Sequence, residues 1–421
     1  MSEATVGTAS AEDAWSMPLE QIDVSRAELY ASDTWGPYFA RLRREDPVHY
    51  CPESSTGPYW SVTKFHDIKH VDTHHDVYSS ELGGISIAEQ DAEPEVRLDN
   101  FISMDPPKHD VQRKTVAPSV APANLAKLEP LIRERVIDIL DNLPVGETFN
   151  WVDKVSIELT ARMLATLFDF PYQDRRKLTY WSDITTSSPQ IMGDAGLPAA
   201  ERAEELSHCV AAFTELWHER AAQEPGSDLI SMLAHGESTK DMMSRPAEFL
   251  GNIMLLIVGG NDTTRNSISG GVLALNQYPG QYQKLREQPE LIPNMVAEMI
   301  RWQTPVIHMR RTATQDTELS GKRIRKGEKV VMWYLSGNRD EEIFDDADKL
   351  IIDRHNARQH VSFGYGLHRC MGNRLAEMQL RLLWEEIHKR FEMIEVAGEV
   401  VRVPNNFIRG IADLPVRVHP R

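Results

Sequence analysis

Phe363-Gly364-Tyr365-Gly366-Leu367-His368-Arg369-Cys370-Met371-Gly372 sets one cysteine between a pair of glycines and a third, just before a helical pattern from Asn373 to Leu383. Glycine tolerates positive φ and close backbone approach, so the loop can be tight. A thiol at the start of the next helix meets unpaired N–H groups and the positive end of the helix dipole, which predicts a lowered thiol pKa and a thiolate. From the residues alone three uses of Cys370 are open: an inert buried side chain, a zinc ligand with His360 and His368, or a lone thiolate ligand. The chain has three cysteines, and Cys51 and Cys209 stand far from Cys370 with no partner at zinc-ligand spacing. Three widely spaced cysteines are a poor basis for a disulfide framework, and a reducing cytosol is the expectation.

Upstream, Ile253 to Asn276 reads as an apolar helix interrupted by Gly259-Gly260-Asn261-Asp262-Thr263-Thr264. Two glycines within a helix cost about 1 kcal/mol each relative to alanine, so something needs backbone proximity there. Threonine hydroxyls bond back to the i−4 carbonyl and bend or open the turn. An acid beside an alcohol in such a groove relays protons; a packing notch with a solvated Asp262 is the other reading. Ile253, Leu256, Ile257 and Val258 precede the notch as ligand-facing wall or as plain core. Glu298-Met299-Ile300-Arg301 pairs an acid and a base at i, i+3 in a helix expected from about Pro293 to Gln303 and stopped by Pro305. In Met104-Asp105-Pro106-Pro107-Lys108-His109-Asp110-Val111-Gln112-Arg113, Asp105 is the expected N-cap and Pro106 the first helical residue, and His109 and Arg113 share a face.

The 421 residues bound the chain to two or three domains or one large core. A net charge of −17 repels phosphate backbones and anionic lipid, which argues against nucleic-acid binding. The strongly apolar run Ile253 to Val258 is far shorter than the roughly 20 residues a membrane crossing needs, and the acidic opening to Trp15 lacks a secretory pattern. Residues 1–20 read as a loose arm. Apolar spacing from about 125 to 275 is helical, broken between Ser187 and Pro198 by a Ser-, Pro- and Gly-rich mobile loop, a lid or a solvated connector. Tyr59 to Phe65 suggests a strand, and Leu319 to Tyr334 a small sheet of alternating residues with a turn at Lys326-Gly327-Glu328. The class is mainly α with small β-sheets. Neither a dinucleotide fingerprint nor a phosphate loop is present, so electrons would arrive from a separate protein.

The ten-residue loop resembles the cysteine-ligand loop of cytochrome P-450, a haem-thiolate superfamily. Gly259 to Thr264 resembles its oxygen-activation motif, and Glu298 with Arg301 and Arg354 resembles its Glu-x-x-Arg signature and buried third partner. The resemblance implies a single haem domain over 21–421, with haem b lying between the oxygen-activation helix and the cysteine loop. It implies Cys370 as axial iron ligand, a donor that favours O–O cleavage, with Phe363 covering the thiolate side and Gly259 in the cofactor-binding set. His109, Arg113, Arg311 and His368 are then the expected propionate partners, and Asp262 and Thr263 the catalytic residues that handle protons and oxygen. Longer strings, Gly259 to Ser267, Ile300 to Pro305, His308 to Ala313 and Met332 to Asp340, resemble the bacterial soluble alkane and fatty-acid terminal hydroxylases. That implies a cytoplasmic monooxygenase placing one atom of O2 on the omega carbon of a medium-chain aliphatic substrate. Its electrons would pass from NAD(P)H through a reductase and a ferredoxin-type donor docking on Lys108, Lys114, Arg369 and Arg374. A haem-thiolate monooxygenase of another hydrophobic substrate, or a sensor or carrier, is the alternative.

Overall fold

The computed structural model describes residues 11–88 and 98–421. Its axis is the helix Pro246–Gln277, 32 residues long, which runs without interruption through the glycine pair. The two halves of that helix serve different cores. Phe249, Ile253, Met254 and Ile257 pack with Phe168, Phe213 and Trp217, whereas Ile268, Val272 and Leu275 pack with Val136, Leu159 and Trp384. Gly259 to Thr264 lie where one core gives way to the other, so the functional notch sits between two rigid blocks.

Helices Pro122–Asp141, Glu158–Phe168, Arg175–Thr185, Ala199–Ala221, Ile292–Gln303 and Asn373–Arg390 surround the axis. The expected mainly helical class with small sheets holds. The largest sheet runs in the order Val48–Cys51, Tyr59–Val62, Lys329–Met332, Met309–Ala313, Tyr78–Ser79. Lys329–Met332 does not alternate as expected, because all four residues are buried. The strand separates two clusters: Val331 packs with Phe39 and Trp333, and Val330 and Met332 pack with Val62 and Phe65. The turn before it is as expected, with Gly327 at φ 88° and the Glu328 N–H donating to Arg325 O.

Two segments expected to be loose are folded. Residues 1–10 of the N-terminal arm lie outside the described residues, but Ala11–Ser16 is helical and the Arg41 guanidinium donates to Ala14 O and Met17 O. The segment 187–198 contains the short helix Pro189–Met192 and a 3-10 turn at Gly193–Ala195, with Ser187, Ser188 and Ile191 buried. Leu197 N–H closes it onto Ser187 O, and Asn405 and Asn406 bond it to the C-terminal region, so it is not a solvated connector. No helix among the described residues is long and apolar enough to cross a membrane.

Candidate active site

The cysteine loop turns through Gly364 and Gly366, at φ 65° and 64°, and closes where Cys370 N–H donates to Phe363 O at 2.8 Å. A side chain at either glycine is excluded twice over, by left-handed backbone and by Asp72: a Cβ on Gly366 would stand 2.6 Å from Asp72 O. Cys370, Phe363 and Gly364 open on a cavity of about 400 Å³ that the notch residues Gly259, Gly260, Thr263 and Thr264 line from the other side. The expected lowering of the thiol pKa is overturned. Desolvation pushes Cys370 up, against the N–H groups of Gly372 and Asn373 and the guanidinium groups of Arg113 and Arg369, which pull it down. His360 is committed elsewhere, accepting from Ser362 N–H and packing on Phe363, and no zinc-type cluster of three ligands converges among the described residues.

Two buried networks hold this loop. Glu298 accepts from Arg301 at 2.7 and 2.8 Å and from Arg354 at 3.0 and 3.1 Å, all three side chains being out of solvent. Arg301 passes on to the carbonyls of Asn338, Ala347 and Lys349. Asn338 then receives Val361 N–H on its Oδ1 and donates from Nδ2 to Ser362 and Thr304, which ends two residues short of the loop's Gly364. The acid–base pair at 298 and 301 is thus a buried support rather than a surface pair. The second network centres on Asp72, which accepts from Arg311 at 2.8 Å, from Tyr334 at 2.9 Å and from Tyr365 N–H at 2.6 Å. Asp72, Asn338 and Ser362 were not among the residues singled out in the sequence. Their partners lie up to 293 residues away, and no local pattern announces them.

The adjacent glycines of the notch have different reasons. A Cβ on Gly260 would stand 2.9 Å from Leu164 of the neighbouring helix, so here backbone proximity is required. A Cβ on Gly259 would meet nothing within 4 Å and would point into open space beside the cavity that Gly259 lines. Thr263 donates back to Gly259 O at 2.9 Å as expected, yet the helix does not open there. Asp262 does not line the cavity. It is fully buried behind it, accepting from Ser182 at 3.1 Å and Asn261 at 3.0 Å and pairing with Arg265 at 2.9 Å. Desolvation lifts its pKa from 3.8 to about 6, with Arg265 opposing and Asp183 reinforcing. Of the four apolar residues expected at the wall, Leu256 and Val258 line the cavity while Ile253 and Ile257 belong to the core.

Arg113, Arg311 and His368 converge at one end of the cavity. His109 stands behind His368, ring to ring at 4.5 Å, and is not itself lining. The helix that carries it is Lys108–Val116; Asp105 does not cap it, because its carboxylate takes Ser79 Oγ and Ser80 N–H instead. His368 Nδ1 and His109 Nε2 are buried with no hydrogen-bond partner. Burial, then Arg311, His109 and Arg113, push His368 down to about 2, so the cluster lacks negative charge. Both orphaned nitrogens and both guanidinium groups suit an anionic ligand edge such as a pair of carboxylates. With one sulfur on the floor, and Gly259 and Gly372 leaving open space where other residues would place a Cβ, the residues present fit the flat macrocycle that the resemblance implies.

Comparison with known proteins agrees. The family model for cytochrome P450 matches residues 199–415. The chain is 38% identical to linalool 8-monooxygenase of Pseudomonas putida, over 96% of this chain and 100% of that protein. It is 30% identical to a methyl-branched lipid omega-hydroxylase of Mycobacterium bovis, over 95% of each. The solved structure of cytochrome P450-153 from Novosphingobium aromaticivorans superposes with a TM-score of 0.88 at 47% identity, covering 94% of this chain and 99% of that one. Cysteine loop, notch, buried triad and relatives lead to one conclusion: this chain belongs to the cytochrome P450 family.

Proposed function

We propose that this P450 hydroxylates the terminal carbon of medium-chain alkanes, fatty acids or related aliphatic chains. Family membership makes it a haem-thiolate monooxygenase dependent on O2 and on electrons from a partner protein. The observation that carries the narrower reading is the cavity wall: from the notch outward it is aliphatic, with Leu98, Leu164, Leu206, Leu229, Met254 and Val258, and no Asp or Glu lines it among the described residues. A methyl C–H bond is stronger than a methylene C–H, so terminal attack needs a wall that holds the chain end and excludes its neighbours. The lipid omega-hydroxylase among the relatives supports that reading.

Cys370 would ligate the iron of haem b, Arg113, Arg311 and His368 would take the propionates, and Phe363 and Gly259 would lie against opposite faces of the ring. Haem supplies the activation of O2, in which one oxygen atom enters the C–H bond and the other leaves as water, consuming two electrons and two protons. The chain's own residues supply the protons. Asp262 holds one near neutral pH, and Arg265 connects its carboxylate to Asp183, whose side chain is about half exposed. Thr263 presents its hydroxyl at the cavity wall one residue on, placing an exchangeable proton where oxygen chemistry occurs. We read residues 21–421 as one haem domain working in the cytoplasm, with NAD(P)H as the ultimate electron source and a ferredoxin-type donor with its reductase between. Lys108, Lys114, Arg369 and Arg374 are exposed around the cysteine side and form the docking patch in this reading.

The test is product analysis across alkanes and fatty acids of graded length with a surrogate ferredoxin system. Predominantly omega alcohols are expected; a product mixture dominated by internal alcohols would overturn the terminal assignment.

A further inference from the structure

The aliphatic cavity has a polar patch on the 187–198 segment, away from the cations at its cysteine end. Ser188 is 4% exposed and lines the cavity, and its Oγ has no hydrogen-bond partner. The neighbouring hydroxyls are spent: Thr185 donates to Trp181 O at 2.8 Å, and Thr186 Oγ1 lies 3.4 Å from Ser182 O. Arg202, 5% exposed, lines the same cavity from the first turn of the helix Ala199–Ala221. Leu197 brings the two together. Its N–H donates to Ser187 O, beside Ser188, and its carbonyl accepts from Arg202 Nε at 3.3 Å. A buried hydroxyl with unused capacity next to a positive planar fork is a donor set for a carboxylate.

We infer that Ser188 and Arg202 form a head-group subsite for the carboxylate of an aliphatic acid. The inference rests on the aliphatic-chain reading above and narrows it from alkanes and acids to acids. An acid held by its head on the 187–198 segment extends its chain along Leu206, Leu229, Met254 and Val258 and presents its far end to Thr263 and Cys370. Distance from the head then selects the carbon that reacts, and an alkane, lacking the head, loses that register.

The experiment is an equilibrium titration of the purified holoenzyme, following the Soret shift on ligand binding, with dodecanoic acid, methyl dodecanoate and dodecane. Wild type is expected to bind the acid about tenfold more tightly than the ester, the scale of a charged hydrogen bond. Arg202→Gln should erase that preference and leave dodecane within about twofold, and Ser188→Ala should weaken acid binding about threefold. Equal wild-type affinity for acid and ester, or an Arg202→Gln change shared equally by acid and alkane, overturns the subsite. Should Arg202→Gln fail to retain haem, the wild-type acid-to-ester ratio and Ser188→Ala decide alone. Because binding is read here and product position is read above, internal alcohols with an intact acid preference would sink the terminal assignment only. Terminal alcohols without that preference would sink the subsite only.

Discussion

On the cysteine side of the cavity, buried charge is answered by buried charge. Glu298 is gripped by two guanidinium groups and Asp72 by a third, and backbone carbonyls absorb the remaining donors. On the side of the 187–198 segment the wall is Leu, Met and Val, and the buried hydroxyl of Ser188 is left unanswered. The first wall is specified by directional bonds whose loss strands a charge, which suits a surface that must hold a sulfur in one place. The second is specified by shape and packing, which tolerate substitution of similar volume and suit a surface that selects a ligand.

The contrast breaks most readily at Glu298. Glu298→Gln removes the charge that Arg301 and Arg354 share and should cost about 3–5 kcal/mol, measured as a fall in the denaturant midpoint. A loss of under about 1 kcal/mol would place the two walls on an equal footing. Asp72→Asn comes next. It strands Arg311 and weakens the hold on Tyr365 N–H, for about 1–3 kcal/mol and faster haem transfer to apomyoglobin. Unchanged haem retention would show that the loop needs only the Glu298 network.

A smaller effect is pH-dependent. The folded state favours protonated Asp262, a contribution that is whole below about 3.8 and lost as pH rises through about 6. Asp262→Asn, which cannot ionise, should therefore match wild type in acid and exceed its stability above about pH 6. A constant difference across that window would assign the effect to packing instead. Last, Arg369→Glu should lower the ferredoxin-supported rate severalfold at low salt and flatten its decline with added salt. A rate indifferent to both would move the docking patch off the cysteine face.

What was legible in the sequence follows the same division. The cysteine loop, the glycine pair with Asp262 and Thr263, and the Glu298–Arg301 spacing are contiguous, so their chemistry is readable without a fold. Arg113, Arg311 and His368 do meet at the cavity, because the family resemblance carried long-range information that spacing alone lacks. Asp72 stayed hidden, since its three partners come from a strand, a helix start and a loop between 239 and 293 residues away. The thiol pKa was misjudged because a helix terminus can be seen in a sequence and the depth of desolvation cannot. The 187–198 segment was misjudged because its Ser, Pro and Gly content describes turns equally well whether solvent or Asn405 and Asn406 supply the bonds.

The two glycines of the notch are neighbours in the chain and answer to different volumes. A methyl on Gly259 would subtract room from whatever occupies the cavity while improving helix propensity; the same methyl on Gly260 would wedge a neighbouring helix outward. Substrate length can therefore be retuned at one codon without touching the scaffold, while the codon beside it is closed to the same change.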